Sequence, residues 1–219
     1  MTDYSKRYHP SNKIHPTAIV DEGVEMGVGN YIGPYCYITN NTIIGDHCHF
    51  EAYCSVGTVA EHKSYFHKKP IYKVVICDNG VFREFTTINA GTEVFTFIGK
   101  NMIMLRGSHV GHDVEISQNV TLSCNVIIGG HTQIQEGVNM GLGSMCHQYT
   151  TIGAYSMIGM GAVITKSALI KPGGIWVGNP ARFIKPNTIG LERNNVTPKR
   201  LETLTKTFLK LAEENGQKH

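Results

Sequence analysis

A large, mostly aliphatic residue recurs at every sixth position over most of the chain. The first run extends from Ile14 to Val56, a short second run from Ile76 to Ile88, and a third from Ile98 to Trp176. Two residues before each such position stands a small or β-branched residue, for example Ala18, and a glycine often follows it. A period of six differs from the 3.6 of an α-helix and the 2 of an ordinary strand.

This period predicts a coil of three short strands joined by tight turns, with one hexad on each side of a triangular prism. The large residue points to the axis, the small residue fits beside it, and we expect the glycine to relax the backbone at the corner. Stacked coils then bury a continuous core, and each strand pairs in parallel with the strand one coil further on. The expected domain spans residues 1–186.

Two stretches, 57–73 and roughly 90–97, break the phase of the repeat, so we expect both to loop outwards from the prism, where binding groups are often placed. After residue 186 we expect a C-terminal helical segment, 187–219. Its helix starts at the cap residue Thr197 with Pro198 in the first turn and runs for about 17 residues. We expect the final residues, ENGQKH, to fray.

Composition narrows the function classes. The formal charge of +3 and the lack of a long basic run give no support for nucleic-acid binding. No apolar stretch is long enough for membrane insertion, and the polar N-terminus lacks a secretion signal, so we expect a cytoplasmic protein. The six cysteines show no CxxC pair, which favours free thiols over a zinc site or disulfides.

Several segments in frame with the repeat resemble the hexapeptide-repeat acyltransferases, and most closely the UDP-N-acetylglucosamine acyltransferases of lipid A biosynthesis. The matching segments span roughly residues 12–195 and are IHPTAIVDEGVEMG, the loop 57–73, TINAGT, GSHVGHDVEI, IIGGH and MCHQYTTIGAYSMIG. The resemblance implies an all-β fold, a left-handed parallel β-helix of hexapeptide repeats followed by a C-terminal α-helix. It also implies a homotrimer, because members of this superfamily form their clefts between adjacent prisms.

Outward-facing histidines on successive coils are the candidate chemical groups. His109 and His112 flank Val110, while His131 and His147 lie on later coils, so these side chains can line one cleft. Acyl transfer needs a base that titrates near neutral pH and a donor for the oxyanion. The resemblance assigns the base to His112 and the oxyanion donor to the backbone N–H of Gly130. The neighbouring Asp113 is expected to orient the imidazole.

The remaining candidate positions concern the substrate and the acyl donor. We expect Asn89, His109, His131 and Lys63 to contact a nucleotide-linked sugar; the family has histidine where Asn89 stands, and Lys68 is an alternative to Lys63. The GNPAR segment resembles the end of acetyl-CoA-dependent relatives, although it could be only a closing turn. The residues expected to bind the donor are His147, Gln148, Gly159, Arg182, Lys185 and Arg193.

These features favour transfer of an acetyl group from acetyl-CoA to an amino or hydroxyl group of a UDP- or dTDP-sugar. The alternative is O-acylation of UDP-N-acetylglucosamine from an acyl carrier protein thioester, for which we would expect a larger C-terminal helical domain with a basic face. Two further alternatives are a zinc enzyme of the γ-carbonic anhydrase type and a scaffold without activity. We expect no metal, because the histidine spacing differs from that of the zinc class.

Overall fold

The computed structural model describes residues 4–68 and 70–217. A 3₁₀ turn, Tyr4–Lys6, precedes the repeat. The first eight strands are β1 Lys13–Ile14, β2 Ile19–Val20, β3 Glu25–Met26, β4 Tyr31–Ile32, β5 Tyr37–Ile38, β6 Thr42–Ile44, β7 His49–Phe50 and β8 Ser55–Thr58. The next eight are β9 Val74–Ile76, β10 Val81–Phe82, β11 Thr87–Asn89, β12 Thr96–Ile98, β13 Ile103–Met104, β14 His109–Val110, β15 Glu115–Ile116 and β16 Thr121–Leu122.

The last strands complete the coil. They are β17 Ile127–Ile128, β18 Gln133–Ile134, β19 Asn139–Met140, β20 Met145–Cys146, β21 Thr151–Ile152, β22 Met157–Ile158, β23 Val163–Ile164, β24 Gly174–Val177 and β25 Arg182–Pro186. Every third strand pairs in parallel, so the strands form three sheets around one axis. We call them sheet A, which contains β1, sheet B, which contains β2, and sheet C, which contains β3. This arrangement confirms the parallel coil predicted from the six-residue period.

The hexad positions form the core. Residues at the large position, among them Ile32, Phe82 and Ile128, have no exposed surface, and the small residues beside them are also buried. Phe50 and Phe82, one coil apart in sheet A, stack with their ring centroids 4.5 Å apart. All six cysteines are free thiols, as the sequence predicts.

The glycine that follows the large residue has a different role from the one expected. Gly99 and Gly129 do not have a positive φ angle. A Cβ at Gly99 would lie 2.5 Å from the Ser117 carbonyl carbon on the next coil, so glycine is needed for the close approach of the coils. The left-handed backbone lies elsewhere in the corner, and several of these positions carry non-glycine residues, including Asp113 and His131.

Beyond the repeat, the chain caps the coil in ways that the sequence predicts only in part. Strand β25 folds back antiparallel on β24, and a short helix α1, Thr188–Arg193, follows. Helix α2, Pro198–Glu214, starts as predicted, with Thr197 accepting a hydrogen bond from the Arg200 amide. The fraying predicted for the end is wrong at Gln217, which is buried and accepts a hydrogen bond from the Thr151 amide. Residues 218 and 219 of this segment lie outside the described residues.

Both phase breaks become loops at one corner of the prism. The first lies between β8 of sheet B and β9 of sheet C, and the second between β11 and β12 of the same two sheets. Of the helices in the described part of the chain, none is long and apolar enough to cross a membrane.

We expect Phe82→Ala to reduce the free energy of unfolding by about 3–5 kcal/mol, because it leaves a cavity in the coil axis where Phe82 stacks on Phe50. Chemical denaturation followed by circular dichroism measures the change. The matched control is Phe85→Ala, because Phe85 is half exposed and its loss should cost below about 1 kcal/mol. Equal losses in the two variants would contradict a core built on the hexad positions.

Candidate active site

The corner between sheets B and C aligns side chains from successive coils. His112 and Gly130 follow β14 and β17, which pair directly, and Gln148 follows β20 on the next coil. Asp113, His131 and Tyr149 form a second column one residue further along, and all three adopt left-handed φ angles near +60°. The repeat therefore brings residues far apart in sequence to within one or two coil spacings of about 4.8 Å.

His112 and Asp113 form a hydrogen-bonded pair. The Nδ1 of His112 lies 2.6 Å from the Oδ2 of Asp113. A carboxylate can only accept hydrogen bonds, so Nδ1 carries the proton, and in the neutral form of the ring Nε2 has the free lone pair. The Asp113 side chain has no exposed surface, and that of His112 is 12% exposed. The structure thus pairs the two residues that the sequence predicts as the base and its orienting carboxylate.

Five donors surround the Asp113 carboxylate. Its Oδ1 accepts hydrogen bonds from the backbone amides of Thr92, Glu93 and Val94, each at 2.8 Å. Its Oδ2 accepts one hydrogen bond from the Thr92 hydroxyl, at 2.6 Å, and another from His112. Burial alone would raise the pKa of Asp113, but the hydrogen bonds from His112, Thr92 and the loop amides outweigh it and hold the pKa well below its usual value. Asp113 is therefore a stable carboxylate.

Gly130 lies directly against the imidazole of His112. A Cβ on Gly130 would be 2.9 Å from His112 Nε2 and 3.1 Å from the His112 carbonyl oxygen. Within the described residues, the Gly130 amide donates to no protein acceptor. Gly130 thus brings an N–H without a protein acceptor close to an imidazole, and an unpaired N–H of this kind suits an oxyanion.

His131 completes the group of imidazoles on the next coil. Its ring centroid is 5.2 Å from that of His112, and its other face stacks on Tyr149 at 4.4 Å. Lys166 lies over the Tyr149 ring at 5.4 Å. Burial lowers the pKa of His131, although the Asp113 carboxylate acts in the opposite direction. We infer that His131 is mostly neutral near pH 7, so it can donate or accept a hydrogen bond.

The first loop closes a small polar pocket over these residues. Its volume is about 280 Å³, and its lining residues are His62, Ser64, Tyr65, Thr92, Glu93, His112, His131, Gln148 and Tyr149. The His62 ring lies 6.1 Å from that of His112. A second, larger pocket of about 550 Å³ shares His131 and Tyr149 with the first and is also lined by Asp113 and by the exposed apolar side chains of Val94 and Phe95.

Several predicted site residues lie outside the lining of the polar pocket. His109 is hydrogen-bonded to Thr87 Oγ1 at 2.8 Å. Burial lowers the pKa of His109, although the negative charge of Glu61 acts in the opposite direction. Asn89 is 2% exposed; its amide donates to Thr58 Oγ1 and the Val59 carbonyl, which fixes the start of the first loop. Lys63 is exposed on that loop beside His62.

The predicted donor-binding residues are spread over two sides of the prism. Gln148 lines the polar pocket, whereas His147 is exposed and its Nδ1 bonds to the Gln148 carbonyl. The other four lie outside the lining of both pockets at this corner: Gly159 follows β22 of sheet A, Arg182 and Lys185 lie on the exposed strand β25, and Arg193 ends α1. The GNPAR segment forms the turn between the two strands of the β24–β25 hairpin.

The donor set can also be tested against a zinc centre. His112 Nδ1, Asp113 Oδ2 and His131 Nε2 all lie within 4.8 Å of one another. However, both Asp113 oxygens already accept strong hydrogen bonds, and Nδ1 of His112 donates one of them. These atoms therefore fit an imidazole–carboxylate pair better than a set of metal ligands.

Comparison with known proteins gives a consistent group of relatives. An acyl-(acyl-carrier-protein)–UDP-N-acetylglucosamine O-acyltransferase from Paraburkholderia phymatum is 32% identical over 94% of this chain and 84% of its own length. One from Rhizobium johnstonii is 29% identical, with coverages of 94% and 82%. No model of a known protein family matches the sequence.

A solved structure shows the same architecture. The UDP-N-acetylglucosamine acyltransferase from Campylobacter jejuni superposes with a TM-score of 0.74, covering 94% of this chain and 92% of its own, at 28% identity. The left-handed parallel β-helix with a C-terminal helix, implied by the resemblance in the sequence, is confirmed.

We expect Gly130→Ala to lower the rate of the catalysed reaction at least about tenfold while the protein stays folded, because the new methyl group displaces the His112 imidazole by a few tenths of an ångström. Steady-state kinetics and thermal unfolding measure the two effects. In a protein that already carries His112→Ala, the same substitution should lower the rate little further. An equal loss in both backgrounds would show that Gly130→Ala does not act through the imidazole.

Proposed function

Because the chain belongs to the family of acyl-(acyl-carrier-protein)–UDP-N-acetylglucosamine O-acyltransferases, and is therefore an acyltransferase, we propose that it transfers an acyl group from an acyl carrier protein thioester to a hydroxyl group of UDP-N-acetylglucosamine. The observation that carries this proposal is the His112–Asp113 pair, with its free Nε2 facing Gly130 in a polar pocket. The place of this reaction would be lipid A biosynthesis.

The donor differs from the one favoured by the sequence. The relatives' names support an acyl carrier protein thioester and give no support for acetyl-CoA. The larger pocket also favours a longer acyl chain, because its exposed apolar residues Val94 and Phe95 adjoin the catalytic pair through Asp113. An acetyl group would leave most of this apolar surface uncovered.

The geometry supports a conventional acyl transfer. His112 Nε2 takes the proton from the sugar hydroxyl as the hydroxyl oxygen attacks the thioester carbonyl carbon. The Gly130 N–H stabilises the oxyanion of the tetrahedral intermediate. When the C–S bond breaks, the proton on His112 passes to the leaving thiolate, so the imidazole returns to its neutral state. Asp113 stays ionised and holds the imidazolium in place.

The substrate contacts are assigned by position in the pocket. We assign the sugar to His131, Gln148 and Tyr149 on the coil and to His62 and Tyr65 on the loop, because all five side chains line the pocket. Asn89 acts through the loop whose first residues it holds. None of the other predicted residues lines the pocket, and they stay predictions: Lys63, His109, His147, Gly159, Arg182, Lys185 and Arg193.

The donor and the base can be tested together. With UDP-N-acetylglucosamine present, we expect rapid release of thiol from acyl carrier protein thioesters and slow release from acetyl-CoA. His112→Ala should lower the rate at least about 100-fold, because general-base catalysis contributes about that much or more. His67→Ala is the matched control, since His67 is exposed on the first loop and lies outside the pocket lining. Turnover of acetyl-CoA but not of the carrier thioester would overturn the proposed donor.

We also propose a homotrimer. On neighbouring strands of sheet B, Ile127 is 46% exposed and Met145 40%, and exposed apolar side chains that adjoin in this way often mark interfaces. Light scattering should give three times the chain mass of 24.2 kDa. The substitution Ile127→Lys should lower the measured mass. A wild-type mass equal to that of one chain would contradict the trimer.

A further inference from the structure

The second loop, residues 90–95, wraps around the carboxylate that orients the catalytic base. Three consecutive amides, those of Thr92, Glu93 and Val94, converge on a single oxygen of Asp113. Consecutive amides arranged in this way form an anion-binding nest, which holds a negative charge without a cation. The loop is thus built around an ionised Asp113.

The other Asp113 oxygen accepts hydrogen bonds from Thr92 and from the base, and His131 Nε2 lies 3.5 Å from it. The Thr92 hydroxyl donates to Oδ2 at 2.6 Å, the same distance at which His112 Nδ1 donates to it, and the two donors lie 3.4 Å apart. Thr92 is 7% exposed, so water does not readily replace its hydroxyl. Two short hydrogen bonds on one oxygen compete for its electron density, and each limits the strength of the other.

Tight turning of the loop keeps Thr92 in place. Gly91 permits this tight turn, because a Cβ atom at position 91 would collide with the Val94 carbonyl oxygen and would touch Tyr72. In addition, the Thr96 hydroxyl accepts a hydrogen bond from the Asp113 backbone amide at 2.9 Å. The carboxylate therefore has no freedom to rotate towards or away from His112.

We propose that Thr92 is a positioning residue for the transferase reaction: its hydroxyl fixes the Asp113 carboxylate and restrains its pull on the His112 imidazole. The inference rests on the proposed function, in which His112 is the base. Thr92 is outside the repeat, and nothing in the hexad pattern marks it. Because Thr92 and Glu93 also line the polar pocket, the same loop joins the sugar site to the orientation of the base.

Removing this hydroxyl has a predictable electrostatic consequence. The carboxylate loses a donor, becomes more basic and attracts a protonated His112 more strongly. The base then stays protonated to a higher pH, and protonated imidazole cannot accept the proton of the sugar hydroxyl. The charged or titratable groups that face His112 are Asp113, His109 in the preceding strand β14, His62 and Glu93 from the two loops, and His131 on the next coil.

The test is Thr92→Val, which keeps the shape and the backbone amide but removes the hydroxyl. At neutral pH we expect kcat to fall about tenfold, the size of one hydrogen bond to a charged group, with KM for both substrates within about twofold. The acid limb of the kcat/KM profile should move to higher pH. Thr92→Ser should restore both, because serine keeps the donor.

The matched control is Thr42→Val. Thr42 is also a buried threonine, its hydroxyl has no partner among the described residues, and it lies on sheet C outside the pocket lining. We expect unchanged kinetics. If the acid limb of the kcat/KM profile does not move in Thr92→Val, the positioning role is overturned, whether or not kcat falls. The reason is that a purely structural defect lowers the rate at every pH alike.

A second readout does not need turnover. In nitrogen-15 histidine-labelled protein, the proton on His112 Nδ1 should give a strongly deshielded resonance that moves further downfield in Thr92→Val and returns in Thr92→Ser. If the wild type fails to acylate UDP-N-acetylglucosamine yet the resonance moves in this way, the proposed function fails and the Thr92–Asp113–His112 coupling stands. A resonance that is unchanged in Thr92→Val would overturn the coupling itself.

Discussion

The site depends on the parallel register of the coil. Each inward residue packs on the equivalent residue of the coils above and below, as Ile88, Val110 and Ile128 do along sheet B. A shift of one residue would turn the core side chains outwards, so the register is strongly fixed. Because the register fixes the corners as well, His112 must lie beside Gly130, and Asp113 below His131. The catalytic geometry follows from hydrophobic packing elsewhere in the coil.

Close approach of the coils imposes a second constraint on sequence. Where the backbone of one coil passes over the next, as at Gly99 and Gly129, even a methyl group does not fit. At the corner between sheets B and C, Gly130 has equally little room, but its neighbour is the side chain of His112, the proposed base. One glycine therefore leaves both room for the imidazole and a free amide beside it. Structural and catalytic requirements coincide at this position.

The sequence predicts those features that follow from a period. The coil, the buried positions, helix α2 with its Thr197 cap, and the meeting of His112 with His131 all follow from regular spacing. The hairpin β24–β25 and the docking of Gln217 do not, since neither has a periodic signal. His62, Tyr65 and Thr92 lie in the loops, where the phase of the repeat is lost, and only the folded chain places them beside the base.

The two loops convert a repetitive scaffold into a specific site. The first supplies His62 and Tyr65 over the pocket, and the second surrounds Asp113 with donors. The acetyl-CoA donor was inferred from the GNPAR segment, which the structure places in a hairpin on sheet A, and the relatives favour the carrier protein thioester instead. None of its residues lines either pocket at the corner between sheets B and C, so this motif is a weak guide to the donor.

A crystal structure of the protein with UDP-N-acetylglucosamine bound tests the central claim most directly. The account predicts that one hydroxyl oxygen of the sugar lies about 3 Å from His112 Nε2, within hydrogen-bond distance, with the sugar ring in the pocket between His62 and Tyr149. A sugar bound away from this corner, or one whose hydroxyl groups all face away from Nε2, would contradict it.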